Sequence, residues 1–493
     1  MKTKSLLILC MFFLSTFIYG STTYTVTNTN VSGEGSLTQA YASAVTGDVI
    51  NFNFDGTEIS LAGAVVMKSI TINGLNAFNG QKVILRQTTA NQSFFTLASG
   101  ITGTFQNLVF DGAGVLGNSA ITAANGSTLN IENCVFRNIN AQSNNGGGAR
   151  IQGAANISGS LFENNITGGG FGGGALCIFN AANVNIDKCS FIGNISNTNG
   201  NSGGGAIVAR GTVATACNVT ITNSTFANNF SGRTGGAILS SVQSSSAFTA
   251  NVRVINCTFT GNQGDGAINV LTTNNGFAYV YLVNSIVVNN VNAAADAYSD
   301  LLETKGTNVA TVVAIEPHHV IYSVASETVV TASRNCIQVA NPATANIFKT
   351  METFATDKRR PVITTTLGHK VAEISATSIA LNAGIATLAG YTIPTVDQLG
   401  FFRPATPSIG AVERDFTNMV PDMDDNDLKI YLKNKAITFS GLSGEQTLSV
   451  YALNGQLVHQ SVVRNNEIVK LDHIADNLMI VRVQNRSFKL LMK

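Results

Sequence analysis

Between residues 113 and 290 the chain carries four acids, Glu132, Glu163, Asp187 and Asp265, six bases, Arg137, Arg150, Lys188, Arg210, Arg233 and Arg253, and no histidine. Polysaccharide cleavage asks for a denser group. A lyase needs a Lys or Arg base beside a uronate and a counter-charge for its carboxylate, often calcium held by clustered Asp and Glu. A hydrolase needs two carboxylates facing each other across the scissile bond. Glu132 and Asp187 share a phase of the repeat described below, but the coil between them has no acid there, and Glu163 directly follows a core phenylalanine. These acids are expected on solvent-exposed, structural positions, and no catalytic residue is assigned. His318 and His319 beside Glu316 lack further ligands at a recognised spacing, so no metal site is assigned either. The glycine-rich run 168–174 has no following Lys-Ser or Lys-Thr and no helix, which reads as a turn and not a phosphate loop.

Binding is the chemistry left open. Arg150, Arg210 and Arg233 stand near the glycine-rich openings 146–148, 203–205 and 235–236, positions that would line one edge of a repeat. Guanidinium pairs bidentately with carboxylate or sulfate, so the ligand would be an anionic glycan. The other reading is that isolated arginines keep a nearly uncharged repeat soluble. Trp is absent and no Tyr occurs between residues 42 and 278, which leaves Phe171, Phe179, Phe230 or Phe277 for stacking on sugars.

The elements that would position these residues repeat. Phe110, Phe136, Phe162, Phe191, Phe226 and Phe259 are separated by 26, 26, 29, 35 and 33 residues, and Val287 takes the next place. Short β-branched runs punctuated by Gly and Asn at such a period mark a solenoid of strands, and no coil has the long amphipathic run a helical repeat needs. Three residues after the aromatic series stand Asn165, Asn194, Asn229, Asn262 and Asn290, with Ile139 the exception. That is an asparagine ladder, whose amides bond between coils and whose residues tolerate the left-handed conformation of a tight turn. Two residues before the aromatic series stand Cys134, Ser160, Cys189, Ser224, Cys257 and Ser285. Cysteines two coils apart sit nearly 10 Å apart at the usual strand spacing, beyond the roughly 7 Å a disulfide spans. They are expected to be reduced and buried; Cys177, Cys217 and Cys336 fall outside the series.

With these repeats the body resembles the right-handed parallel β-helix proteins, an architecture shared by pectate lyases, chondroitinase-B-like lyases, pertactin-like adhesins and polymorphic outer-membrane proteins. The opening Thr25-Val26-Thr27-Asn28 through Gly35-Ser36-Leu37 to Gly47-Asp48-Val49-Ile50 is similar to the start of many bacterial surface proteins of this kind. Residues 36–45 are expected to form an amphipathic helix capping the first coil, with Leu37, Ala40, Tyr41 and Ala44 on one face and Ser36 with Gln39 as a capping box. Residues 378–384, Gly400, Arg403 and 409–413 resemble the close of the choice-of-anchor Q group, with Asn382 and Ser408 where that group usually has Asp.

The ends address export. Lys2 and Lys4, an apolar run over 6–19, then Gly20 and Ser21 read as a signal peptide over 1–20. Cys10 follows Leu9, so no lipid anchor is expected, and no later apolar run is long enough to span a bilayer. The expected plan is an all-β chain: an N-terminal cap about 21–50, regular coils about 51–292, irregular final coils about 293–414, an acidic linker 415–427 and a small β-sandwich 428–493. Residues 448–458, 480–483 and 489–493 look like the type A sorting domain of the type IX secretion system, with Asn477-Leu478-Met479 where that family commonly has Gly-x-Tyr. The resemblance implies secretion machinery as a partner and a secreted or cell-surface location. A net charge of +1 with 12% charged residues excludes a nucleic-acid field. The implied function is a monomeric, non-enzymatic adhesion, glycan-contact or scaffold protein without a cofactor. The alternatives are a uronate-cleaving polysaccharide lyase, which would use calcium, and a purely structural envelope component.

Overall fold

The computed structural model describes residues 21–413 and 429–491, apart from 113–116, 143, 198–202, 245, 274, 306–311, 356, 434–435, 441, 443, 453–455, 465–466, 472–477 and 484–485. The leader 1–20 and the acidic linker 415–427 lie outside the described residues.

The body is a parallel β-solenoid. Its first and second sheets have eleven strands each, its third has nine, and a short fourth sheet has five. One coil shows the path: Asn183–Asp187 in the first sheet, Ser190–Ile192 in the second, Ile195–Ser196 in the fourth, Ile207–Gly211 in the third. The alternation of side chains along a strand does the sorting. In Asn183–Asp187, Val184 and Ile186 turn into the core while Asn183 and Asn185 face out. The coil period varies because the loops vary, from residues 180–182 between third and first sheets in one coil to 212–216 in the next.

Phe110, Phe136, Phe162, Phe191, Phe226 and Phe259 pair in register in the second sheet, followed by Val287. Their rings stack nearly parallel with centroids 4.5–4.9 Å apart. That is the strand spacing itself, so the backbone imposes a face-to-face stack that free aromatic pairs disfavour.

Beside the rings runs the amide ladder. Asn165, Asn194, Asn229 and Asn262 each donate Nδ2–H to the Oδ1 of the next asparagine at 2.8–3.0 Å, ending on Asn290. Each also donates to the carbonyl of a phenylalanine one coil back, as Asn229 does to Phe191 at 2.9 Å. Each Oδ1 of the later members further accepts the backbone N–H of the preceding ladder residue. At the end Asn290 donates to the buried Asp300 at 2.9 Å. The left-handed residue is not the ladder asparagine, as expected from its type, but its predecessor: Asn138, Asn164, Gly193, Asn228, Gly261 and Asn289, with φ of 54–64°. The neighbour makes the corner, which leaves the ladder residue free to aim its amide inward. A second left-handed column, Asn133, Gly159, Lys188, Asn223, Asn256 and Asn284, turns the chain between first and second sheets.

The six described cysteines are unpaired. Cys134, Cys189 and Cys257 alternate with serines for a reason the geometry supplies: each cysteine N–H donates to the Oγ of the serine in the next coil at 3.0–3.2 Å. Burial pushes the Cys134 and Cys257 thiols up to about 12. Gly146, Gly173, Gly204 and Gly235 explain the glycine-rich openings. Each has φ of 66–76°, and a Cβ there would lie 2.1–2.5 Å from the carbonyl oxygen of Ala149, Leu176, Ile207 or Ile238.

At the first coil, helix Leu37–Ser43 places Leu37, Ala40 and Ala44 in the core with Tyr41 against it. Ser36 Oγ accepts from Gln39 N–H, and Lys68 Nζ donates to the carbonyls of Tyr41, Ala42 and Ala44 at the other end. Beyond residue 293 the chain adds rungs at Leu301–Lys305, Val312–His318, Ile321–Tyr322 and Ile337–Gln338, then turns back. This returning segment, expected as irregular coils, lies over the outer side of the second sheet. Lys370 pairs with Glu163; Gln398 donates to the Cys189 carbonyl and to Ser190 and accepts from Thr225; Ala411 N–H donates to Thr258. A buried ion pair, Arg403 to Glu413 at 2.7 Å, ties its end, and Arg403 also reaches Asn223. Asp397, buried between them, accepts the N–H groups of Leu399, Phe401 and Glu413. Late in the chain, antiparallel sheets of three and four strands share a separate apolar cluster that includes Ile437, Phe439, Val450 and Val481. Among the described residues no helix is long and apolar enough to cross a membrane.

Replacing Asn229 with Leu leaves the Asn194 amide N–H, the Asn262 side-chain oxygen and the Phe191 carbonyl each short of a bond in a dry core. At about 1–3 kcal/mol per unsatisfied group the variant should lose several kcal/mol in denaturant unfolding, whereas Asn251→Ala on the outer face should lose less than about 1 kcal/mol. Equal midpoints for the two variants would refute the ladder's role.

Burial lifts the Asp397 carboxyl from 3.8 to about 6. The native state then holds a proton that the unfolded chain has released, so this contribution is full below about pH 4 and disappears as pH rises through about 6. Relative to Asp397→Asn, the wild type should lose on the order of 1–3 kcal/mol between pH 4 and pH 7 in urea melts. A wild-type advantage that grows with pH would contradict this.

Candidate functional site

The outer face of the first sheet forms a groove. Its larger part, about 620 Å³, is floored by Asn156, Asn185, Asp187, Thr220 and Arg253 and walled by residues 390–396, which the returning segment brings there. A smaller hollow of about 300 Å³, lined by Asn183, Asn218, Asn251 and Tyr281, shares Thr220 and Arg253 with it. The lining follows from strand alternation: the inward residues are Ala155, Ile157, Val184, Ile186, Cys217, Val219 and Ile221, and the outward set of the same strands is mostly Asn, Thr and Ser, with Asp187 the one acid.

The outward amides form their own rows. Asn185 donates to Asn156 and Asn156 to Asn130, each at 3.1 Å, and Asn251 donates to Asn218 at 3.0 Å. Each such amide keeps a second N–H and a carbonyl lone pair for solvent or a ligand. At the far end Tyr279 and Tyr281 stand with ring centroids 6.0 Å apart, and Tyr281 lies in register between Arg253 and Glu316. Burial first, then the Glu316 charge, push the Tyr281 and Tyr391 hydroxyls up, so both remain protonated donors. These tyrosines were not foreseen. Tyr279 and Tyr281 follow the Tyr-free stretch directly, and the alternation in Gly276–Val283 marks them as outward; Tyr391 depends on a chain path that no local pattern encodes.

The acids of the coils do not converge. Glu163 is not a solvated residue but pairs with Lys370 of the returning segment. Glu132 accepts from Gln106, and Asp265 from the Ala293 N–H. Asp187 lines the groove but accepts from Thr222 at 2.5 Å and Asn223 at 3.0 Å. On the second sheet Asp111, which is 3% exposed, sits between Arg86 and Arg137 in an alternating row. His318 ends Val312–His318, and His319 takes the left-handed corner that follows, with φ of 52°. Among the described residues no group of three His, Cys, Asp or Glu could hold a metal ion.

The three arginines expected along one edge are divided. Arg150 and Arg210 share the outer face of the third sheet, where the Arg150 guanidinium stacks on Phe179 at 4.7 Å and the Arg210 guanidinium on Phe171 at 4.2 Å. Arg233 is exposed on Phe230–Thr234 of the fourth sheet, and no described contact joins it to that pair. Phe171 and Phe179, expected as possible sugar platforms, are therefore engaged with guanidinium groups.

No curated protein matches the sequence. Residues 94–292 match the family described as right handed beta helix region. With the continuous parallel ladders through those residues, the body of this chain is a right-handed parallel β-helix.

Proposed function

We propose that this chain is a secreted or cell-surface protein that holds glycan chains in the groove of its first sheet without cleaving them. The observation that carries the reading is the groove's lining: rows of neutral outward amides leading to Tyr281, Tyr391 and Arg253. Sugar hydroxyls pair with amides, and the apolar face of a pyranose rests on a phenol ring. The acids that bond cleavage would recruit are tied to Lys370, Gln106, Thr222 and Asn223.

A uronate lyase is the second reading, favoured by Arg253, Asp187 and Glu316 lying on one face of the same sheet; calcium would belong to that reading alone. A purely structural envelope component is the third. Export rests on the leader 1–20 and on the resemblance of the tail to a type A sorting domain. The helix at Leu37–Ser43 would cap the open end of the solenoid, which otherwise presents a free sheet edge, and the tail's two sheets would pack as a β-sandwich that secretion machinery reads.

Tyr281→Ala and Tyr391→Ala should each weaken retention of a bound polysaccharide about three- to tenfold in affinity electrophoresis, with unchanged melting midpoints. A wild-type chain retained by none of a panel of neutral and uronate-containing polysaccharides would refute the proposal. Deleting residues 428–493 should leave the β-helix folded but confined to the periplasm, read by fractionation and surface labelling. Normal surface display of the truncation would defeat the sorting role of the tail.

A further inference from the structure

We infer that the outer face of the third sheet carries a second site, in which Arg150 and Arg210 take carboxylate or sulfate groups spaced along an anionic polymer. Eight of the nine strands of this sheet, from Val65–Val66 through Ile207–Gly211 to Ile268–Thr272, contain no acid and carry only these two arginines as formal charges; the end strand Leu301–Lys305 adds Glu303 and Lys305, and Glu303 accepts the Ile315 N–H. Both face outward on a bed of Cys177, Val208 and Leu239, all fully buried.

The two guanidiniums are held without a counter-charge. Arg150 lies 4.7 Å from the Phe179 ring centre, Arg210 lies 4.2 Å from that of Phe171, and the two rings meet edge to face at 5.4 Å. Stacking on a ring occupies one face of each guanidinium and fixes its plane. Among the described residues neither arginine forms an ion pair, and the Nε of each is buried without a hydrogen-bond partner. Desolvation pushes the Arg210 guanidinium down. A partly buried cation on an apolar bed attracts an anion more strongly than a solvated one does, because less water screens it. Fixed planar forks of this kind match carboxylate and sulfate oxygens.

Spacing selects a polymer over a single ion. Arg150 pairs in register with Cys177, Cys177 with Val208, and Arg210 stands two residues further along that last strand. Two rungs set the backbones roughly 10 Å apart along the axis, so the site offers two anchor points in sequence. It lies on a different sheet from the amide groove and does not depend on that groove's function.

The test uses the full chain with heparin, polygalacturonate, neutral dextran and inorganic sulfate as probes. The double variant R150Q/R210Q should lose at least tenfold in affinity for both anionic polymers, and wild-type binding should weaken steeply with added NaCl. Its interaction with dextran should match wild type. R150K/R210K, which keeps both charges and spares the fold, should show an intermediate loss because ammonium cannot fork. Wild-type affinity for heparin and polygalacturonate in both variants, or no binding of either polymer by the wild type, would overturn the site. Displacement of the polymers by inorganic sulfate at equal anion concentration would overturn the requirement for a polymer.

Discussion

Everything outside the core of this molecule depends on a buried amide that can be satisfied only by the coil next to it. Asn194 gives one hydrogen to Asn229 and another to Phe162, and its own oxygen receives the Asn165 amide and backbone N–H. No water competes, since the ladder asparagines are at most 1% exposed. Apolar packing alone would tolerate a coil sliding against its neighbour, because one Phe or Ile resembles the next. An amide shifted by a residue would lose its bonds at about 1–3 kcal/mol for each group left unpaired. The ladder thus sets the register that the phenylalanine stack fills.

Strict register has a consequence on the surface. Because coils of 26 to 35 residues still align strand on strand, outward residues of one type form straight rows, and their length differences go into loops. The first sheet turns this into rows of asparagine, the second into the alternating charges Arg86, Asp111 and Arg137, and the third into an apolar bed bearing two arginines. One core therefore supports three chemically distinct faces. The returning segment covers the second, which leaves the first as a groove with one added wall.

The repeat was legible in the sequence because its signals are periodic and local in type. Phe136 to Phe259, Asn165 to Asn290 and the Cys/Ser series could be counted along the chain, and each falls in the register that the counting gave. What was misjudged were positions set by neighbours in space. Left-handed geometry suits the ladder asparagines by type, yet the preceding residue carries it, since residue type does not say which of two adjacent residues makes a corner. Glu163 looks solvated in its local sequence because its partner, Lys370, comes from 207 residues away. Tyr391 escaped for the same reason: residues 372–413 have few regular strands, and only contacts such as those of Gln398 and Arg403 fix their path. Arg150, Arg210 and Arg233 looked equivalent by spacing, yet strand and face separate the third from the other two.

The groove offers neutral amides, phenol hydroxyls and Arg253, and the acid in its lining, Asp187, is held by Thr222 and Asn223. A surface of this kind gains from many weak contacts along a chain, and the length of the solenoid supplies them. The most direct test places the full chain with a panel of uronate-containing and neutral polysaccharides, with calcium present, and follows protein depletion and new unsaturated chain ends in the same tubes. The account predicts depletion of the protein without unsaturated product; appearance of unsaturated ends would contradict it.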